Sequence, residues 1–407
     1  MRTRSELTGG EVEVLYTDLN RRLDALGLES QPEVALRVLE LVSDPGSGAK
    51  DFAAVLQNDP ALTGRLLKTA NSAYFAQRRP VTTVDRACVI LGMERIRALS
   101  LGFSLARAST PGAFGDLARR VWGVSVYRGC LAAELSRATV GGAAQAAEAF
   151  VVGLMLDVGV PLMHRLLGSK YEAVLSAAPS PMRLYQGEFA ALPFTHADVA
   201  AALCRRWGLP EVLRLPIEWR YVPPQPGRTA DLMRRMQRVA HYAGAVHVRP
   251  WEEEPVEAQE LASSVRDLLC LQDAALEDVL ADAAREYGVA MTAFSGIAEA
   301  PGDAASITRC AHGALAELVA AEIARQLSQE STPAPERFMF DGLELEVRPL
   351  EDGDALAVLH SGSEAIVQHH FALGPGSAEQ ILAVLGVEPP ETLELDRFRA
   401  YLAQLAA

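Results

Sequence analysis

The chain has 407 residues, 49% of them hydrophobic and 22% charged, which supports a buried core and excludes general disorder and fibrous classes. At roughly 150 residues per domain, two to three domains are expected. The net charge of −14 is uneven: residues 1–249 hold 30 Lys+Arg against 23 Asp+Glu, residues 250–407 hold 8 against 29, and that acidic back repels nucleic acid and anionic membrane.

A helical segment over 1–30 opens the chain. PEVALRVLELVS (32–43) sets Val34, Leu36, Val38, Leu39, Leu41 and Val42 on one broad apolar face, closed by DPGSG. Asp59 followed by Pro60 reads as an N-cap with proline at the first helical position. Residues 83–91 give a helix that Gly92 ends in a left-handed conformation, and Met93 to about Arg107 gives the next. Residues 116–139 are amphipathic, and 145–156 are apolar on every side, which implies full burial. Helices near 168–178, 182–191, 196–207 and 211–220 lead to a break at YVPPQPGR (221–228). Helical periodicity resumes over 229–247 and in acidic segments up to residue 327. After a linker at STPAPE (331–336), FMFDGLELEVRPL reads as a hairpin about an Asp-Gly turn. Two more strands and helices at about 377–386 and 394–405 complete a small α+β module.

Phosphate-binding loops, dinucleotide fingerprints, G-x-S-x-G and H-E-x-x-H are absent from the sequence. Five scattered cysteines with no C-x-x-C pair argue against a disulfide framework and for a reducing cytoplasm. No signal-peptide core opens the chain, and no membrane-spanning run is expected. The doublet His369–His370 lies in a strand, where two neighbouring rings point to opposite faces.

Two residues draw attention. Asp157 stands in the apolar run GLMLDVGVPLM, so it caps the next helix, binds a ligand or finds a charged partner. His196 stands in LPFTHADVA, where Thr195 and Asp198 have capping-box spacing, which places it in a first helical turn.

PEVALRVLELVSDP, VLQNDPALTGRLLKTANSAYF and RPVTTVDRACVILGMERIRALSL resemble the N-terminal half of the HDOD domain, a bacterial signalling module. VWGVSVYRG, FVVGLMLDVGVPLM and HADVAAALCRRWGLPEVL resemble its second, HD-like half. The resemblance covers about 215 residues. It implies a mainly α protein with an HDOD domain over 31–247 and an acidic helical extension over 248–330; the α+β module over 331–407 rests on the residue pattern alone. HD-domain relatives are metal phosphohydrolases that use histidines and an aspartate. At the matching positions this chain has Val124, Leu156, Asp157, His196, Arg220 and Tyr221, so only Asp157 and His196 remain of the ligand set.

The resemblance therefore implies a non-catalytic regulator with no metal or other cofactor, whose partners are other signalling proteins. The acidic back half, with Leu268, Leu269 and Leu271, is a candidate lid docking on the basic front. One alternative is a nucleotide phosphohydrolase whose metal set is completed by His164 or Glu218. Another is a cyclic-dinucleotide or nucleic-acid binder using Arg205, Arg206, Arg234, Arg235 and Arg238. That second alternative is disfavoured because no aromatics interleave with these arginines.

Overall fold

The computed structural model describes residues 3–7, 9–28, 37–38, 40–41, 44, 46–56, 59–75, 79–109, 115–224, 229–246, 270–271, 276–329, 336–340, 343–349, 354–361, 364–372, 377–385, 387 and 393–405. Most of the helix expected over 32–43 lies outside these residues, as do Leu268 and Leu269.

The helices run α1 Gly9–Ala25, α2 Ala49–Leu56, α3 Pro60–Ala70, α4 Val84–Leu91, α5 Met93–Ser109, α6 Asp116–Thr139, α7 Ala143–Met155, α8 Gly159–Leu167, α9 Ser169–Ala177, α10 Pro181–Ala191, α11 His196–Arg206, α12 Glu211–Glu218, α13 Leu232–Ala245, α14 Leu276–Ala293 and α15 Ala304–Gln329. Their ends follow local chemistry. The Asp59 carboxylate accepts the Leu62 N–H at 3.0 Å, with Pro60 opening α3. Thr83 caps α4 through the Arg86 N–H. Gly92 ends α4 at φ +81° and ψ 151°, a positive-φ conformation that glycine accommodates, though not the left-handed helical one.

Leu19–Glu188 and Phe194–Val319 form one compact helical unit. At its centre α6 and α7 cross so closely that a Cβ on Gly153 would lie 2.5 Å from the Arg128 carbonyl oxygen. α5, α13 and α14 pack around this pair. α14 brings Leu276, Val279, Leu280, Tyr287 and Val289 into the core, where Tyr127 and Tyr287 meet edge to face at 5.7 Å. The stretch Ala143–Leu167 has the length and apolarity of a membrane span, contrary to the expectation from sequence, yet 89% of that window is buried inside the unit. Protein neighbours satisfy its apolar surface.

The second unit comprises Met1–Asp18, Phe189–Pro193 and Ala320–Ala407. Its sheet is antiparallel in the order β1 Glu336–Phe340, β2 Leu343–Pro349, β3 Asp354–Ser361 and β4 Glu364–Ala372. Helices α16 Ser377–Leu385 and α17 Leu393–Leu405 follow. Phe338, Leu345, Val347, Leu359, Ile381 and Phe398 share one core, because alternate strand residues face the helices. His369 and His370 are in β4, opposite Ala357 and Leu356.

Candidate functional site

Asp157 sits where the chain breaks between α7 and α8, flanked by buried Leu156 and Val158. Its side chain keeps 16% exposure. Oδ2 accepts from Arg128 Nη1 of α6, and Oδ1 accepts from Arg220 Nη1 at 2.5 Å. Both arginines are buried. Arg128 Nε donates to the Val246 carbonyl at 2.7 Å, and Arg220 Nη2 to the Gly244 carbonyl at 3.5 Å. Those carbonyls end α13, where helical bonding leaves acceptors open and the helix dipole favours cations. Burial alone would raise the Asp157 pKa. Arg128 and then Arg220 outweigh it and hold the carboxyl well below the usual carboxylate range.

His196 is the first residue of α11, and the capping box of Thr195 and Asp198 is fully formed. Its Nδ1 lies 2.6 Å from Glu188 Oε2 of α10, which also accepts the His196 backbone N–H at 2.8 Å. A carboxylate only accepts, so Nδ1 carries a proton, and Nε2 pairs with the Tyr221 hydroxyl at 2.8 Å. The Tyr221 ring stacks on Tyr185 at 4.2 Å, and the Arg220 guanidinium lies 4.4 Å from its centroid. Burial pushes the Tyr221 hydroxyl well above its ordinary range, which keeps it a donor. His196 Nε2 and Asp157 Oδ1 are 3.9 Å apart. Gly159 permits this approach, since a Cβ there would lie 2.0 Å from the His196 carbonyl oxygen.

The structure thus brings Leu156, Asp157, His196, Arg220 and Tyr221 together. Val124 is half-buried one helical turn before Arg128, on the same face of α6. Asp157 does not cap α8, because the arginines take its carboxylate. Glu218 accepts instead from Arg205 and Arg214, at 3.0 and 2.9 Å.

The five arginines read as a ligand surface are engaged by the chain itself. Arg205 meets Glu218, Arg206 meets Asp24, and Arg234 meets Asp231 at 3.7 Å. Arg235 donates to the Val140 carbonyl and Arg238 to Cys270 Sγ. They do not make one open anion site; α11 and α13 spend them internally.

A divalent ion needs several free oxygen or nitrogen lone pairs. Here both Asp157 oxygens face guanidiniums, both His196 nitrogens are hydrogen-bonded, and two buried positive charges oppose a cation. The residues do not fit a metal. Among the described residues, no three His, Cys, Asp or Glu side chains converge on one point. Arg128 and Glu188 escaped the sequence reading. The signal for Arg128 was a lone cation within VWGVSVYRGCLAA, an apolar stretch that pairs naturally with the lone anion of GLMLDVG.

The HDOD domain profile matches residues 28–223. Residues 28–223 are an HDOD domain. An uncharacterized protein of Treponema pallidum (strain Nichols) is 26% identical over 196 residues, 45% of this chain and 36% of its own length. The chain thus spans about a third of that relative. A Shewanella amazonensis SB2B protein described as a candidate phosphohydrolase superposes with TM-score 0.51 at 23% identity, covering 69% of this chain and 98% of its own. An HDOD domain protein of unknown function from Geobacter sulfurreducens gives TM-score 0.49 at 19% identity, covering 76% and 97%. The Shewanella likeness supports the helical HDOD fold.

Proposed function

We propose that this HDOD protein is a non-catalytic signal-transduction regulator that acts through protein–protein contacts in the cytoplasm, without a cofactor. One observation carries the reading: Asp157, the surviving acidic position of the HD pattern, is clamped between Arg128 and Arg220. Hydrolysis in HD relatives depends on a metal to polarise phosphate and activate water. In this chain the equivalent position is a polar linchpin, joining α6, the α7–α8 break and the end of α13. His196, tied to Glu188 and Tyr221, continues the same network. The arrangement stabilises a fixed shape, which is what a docking platform needs.

Titration calorimetry of the full chain with Mn²⁺ and Fe²⁺ tests this. Binding should be absent below about 1 μM, because too few ligands remain for a closed site. Near-stoichiometric metal in the purified protein, lost on replacing Asp157 by Asn together with phosphodiester hydrolysis, would overturn the reading. Cross-linking of the chain in cells, with the contacts mapped by mass spectrometry, should place partner proteins on the helical unit.

A further inference from the structure

A second polar group lies apart from Asp157, in a cleft between α5, α6, α7 and α14. Small and apolar side chains form its floor, among them Ala98, Ala133, Ala147, Phe150 and Ala290. Its mouth carries Glu94, Arg95, Glu134, Arg137 and Glu286. The charges do not balance. Arg95 is consumed by Glu286 through two bonds, Nε to Oε2 at 2.7 Å and Nη2 to Oε1. Arg137 is divided, one end on Glu94 and the other on Glu134. The preceding turn of α14 adds Asp282 and Arg285, which pair with each other. Among the described residues, three carboxylates therefore share two guanidiniums, and α7 contributes no charge to the lining.

Glu134 is the deepest of the three, with a side chain 10% exposed against 26% for Glu94 and 20% for Glu286. Burial, then the charges of Glu286 and Asp282, push its carboxyl up to about 7 against the opposing charges of Arg95 and Arg285. Near neutral pH a proton stands in for the missing cation. The cleft opens to solvent and has a volume of about 390 Å³, the solvent at its mouth included. That leaves room for a narrow chain and its head group.

We propose that this cleft binds an aliphatic ammonium group, its nitrogen held by Glu134 and Glu94 and its methylenes laid on the alanine floor. An ammonium is compact, donates three hydrogen bonds and supplies the one positive charge that the mouth lacks. Each methylene buried adds about fourfold in affinity. A free alkylamine and a lysine side chain of a partner protein share this chemistry.

The test uses the full chain, with n-butylammonium and with N-acetyl-lysine amide as probes. Saturable shifts of the alanine methyl NMR signals are expected with both amines. Calorimetry at pH 6.5 in two buffers of different ionisation enthalpy should show proton release, as the amine displaces the proton of Glu134. Glu134→Gln should weaken binding at least tenfold, and Glu94→Gln, at the more exposed rim, should weaken it less. Tighter binding of the lysine amide identifies a partner's lysine as the occupant; tighter binding of n-butylammonium identifies a soluble amine. Absence of saturable shifts with both amines would overturn the proposal, as would equal binding of n-butanol or indifference to both substitutions.

Discussion

Asp157 illustrates how burial changes the meaning of one residue. An unpaired buried carboxylate would cost several kcal/mol, and two guanidiniums remove that cost only while all three groups are present. Replacing Asp157 by Ala should therefore destabilise the chain by about 3–5 kcal/mol in urea denaturation at pH 7, since it leaves two buried cations facing each other. The folded carboxyl lies below its ordinary value of 3.8, so its contribution is complete above about pH 4 and is lost as pH falls. The gap between native and Asp157→Ala proteins should narrow below pH 4. Glu134 works in the opposite sense. Its pKa rises from 4.5 to about 7, so the folded state holds a proton that the unfolded state releases. Its contribution to stability should fall between pH 4.5 and 7, and Glu134→Gln should flatten that slope in thermal melts.

At the scale of elements, close approach and capping set the site. Gly159 has ordinary φ, so the constraint is space: a methyl there meets the backbone oxygen of His196, which has no flexible side chain to move aside. Gly159→Ala should cost about 3 kcal/mol and loosen the contact between α8 and α11. Loss of the His196–Tyr221 hydrogen bond, seen as a changed Tyr environment in near-UV circular dichroism, would report that loosening. Thr195→Ala removes one half of the capping box on α11 and should cost about 1–2 kcal/mol by denaturant midpoint. The two substitutions differ in kind. One inserts a clash, and the other leaves a helical N–H without its acceptor.

Across the whole molecule, the helical unit reaches beyond the region matched by the HDOD profile. α14 buries Val279, Leu280, Tyr287 and Val289, and Arg95 and Arg65 of the front half bind Glu286 and the carbonyls of Ala293 and Ser295. A chain ending at residue 247 should expose the apolar faces that α14 covers. It should bind a hydrophobic dye and aggregate at concentrations where a chain ending at residue 329 stays monomeric by light scattering. Equal behaviour of the two would show that α14 adds little to the unit.

Helices α4 to α13, the caps at Asp59 and Thr195 and the strands of the tail were legible in the sequence. Each is set by neighbours within a few positions: an apolar repeat, a capping oxygen, a glycine or proline at an end. The Asp-Gly turn expected at 341–342 lies outside the described residues, although the strands on either side pair as a hairpin would. Arg205, Arg206 and Arg235 meet acceptors on other elements or at a helix end, which local pattern does not show. Asp157 was recognisable as a buried carboxylate needing a partner. Only the tertiary structure supplied Arg128, 29 positions away, and joined it to Arg220 at 63 positions. Such pairing depends on which helices cross and how closely, and that is decided by packing of the whole unit around small residues such as Gly153 and Gly159. Sequence periodicity selects a helix's buried face; the charge that face will meet belongs to the fold.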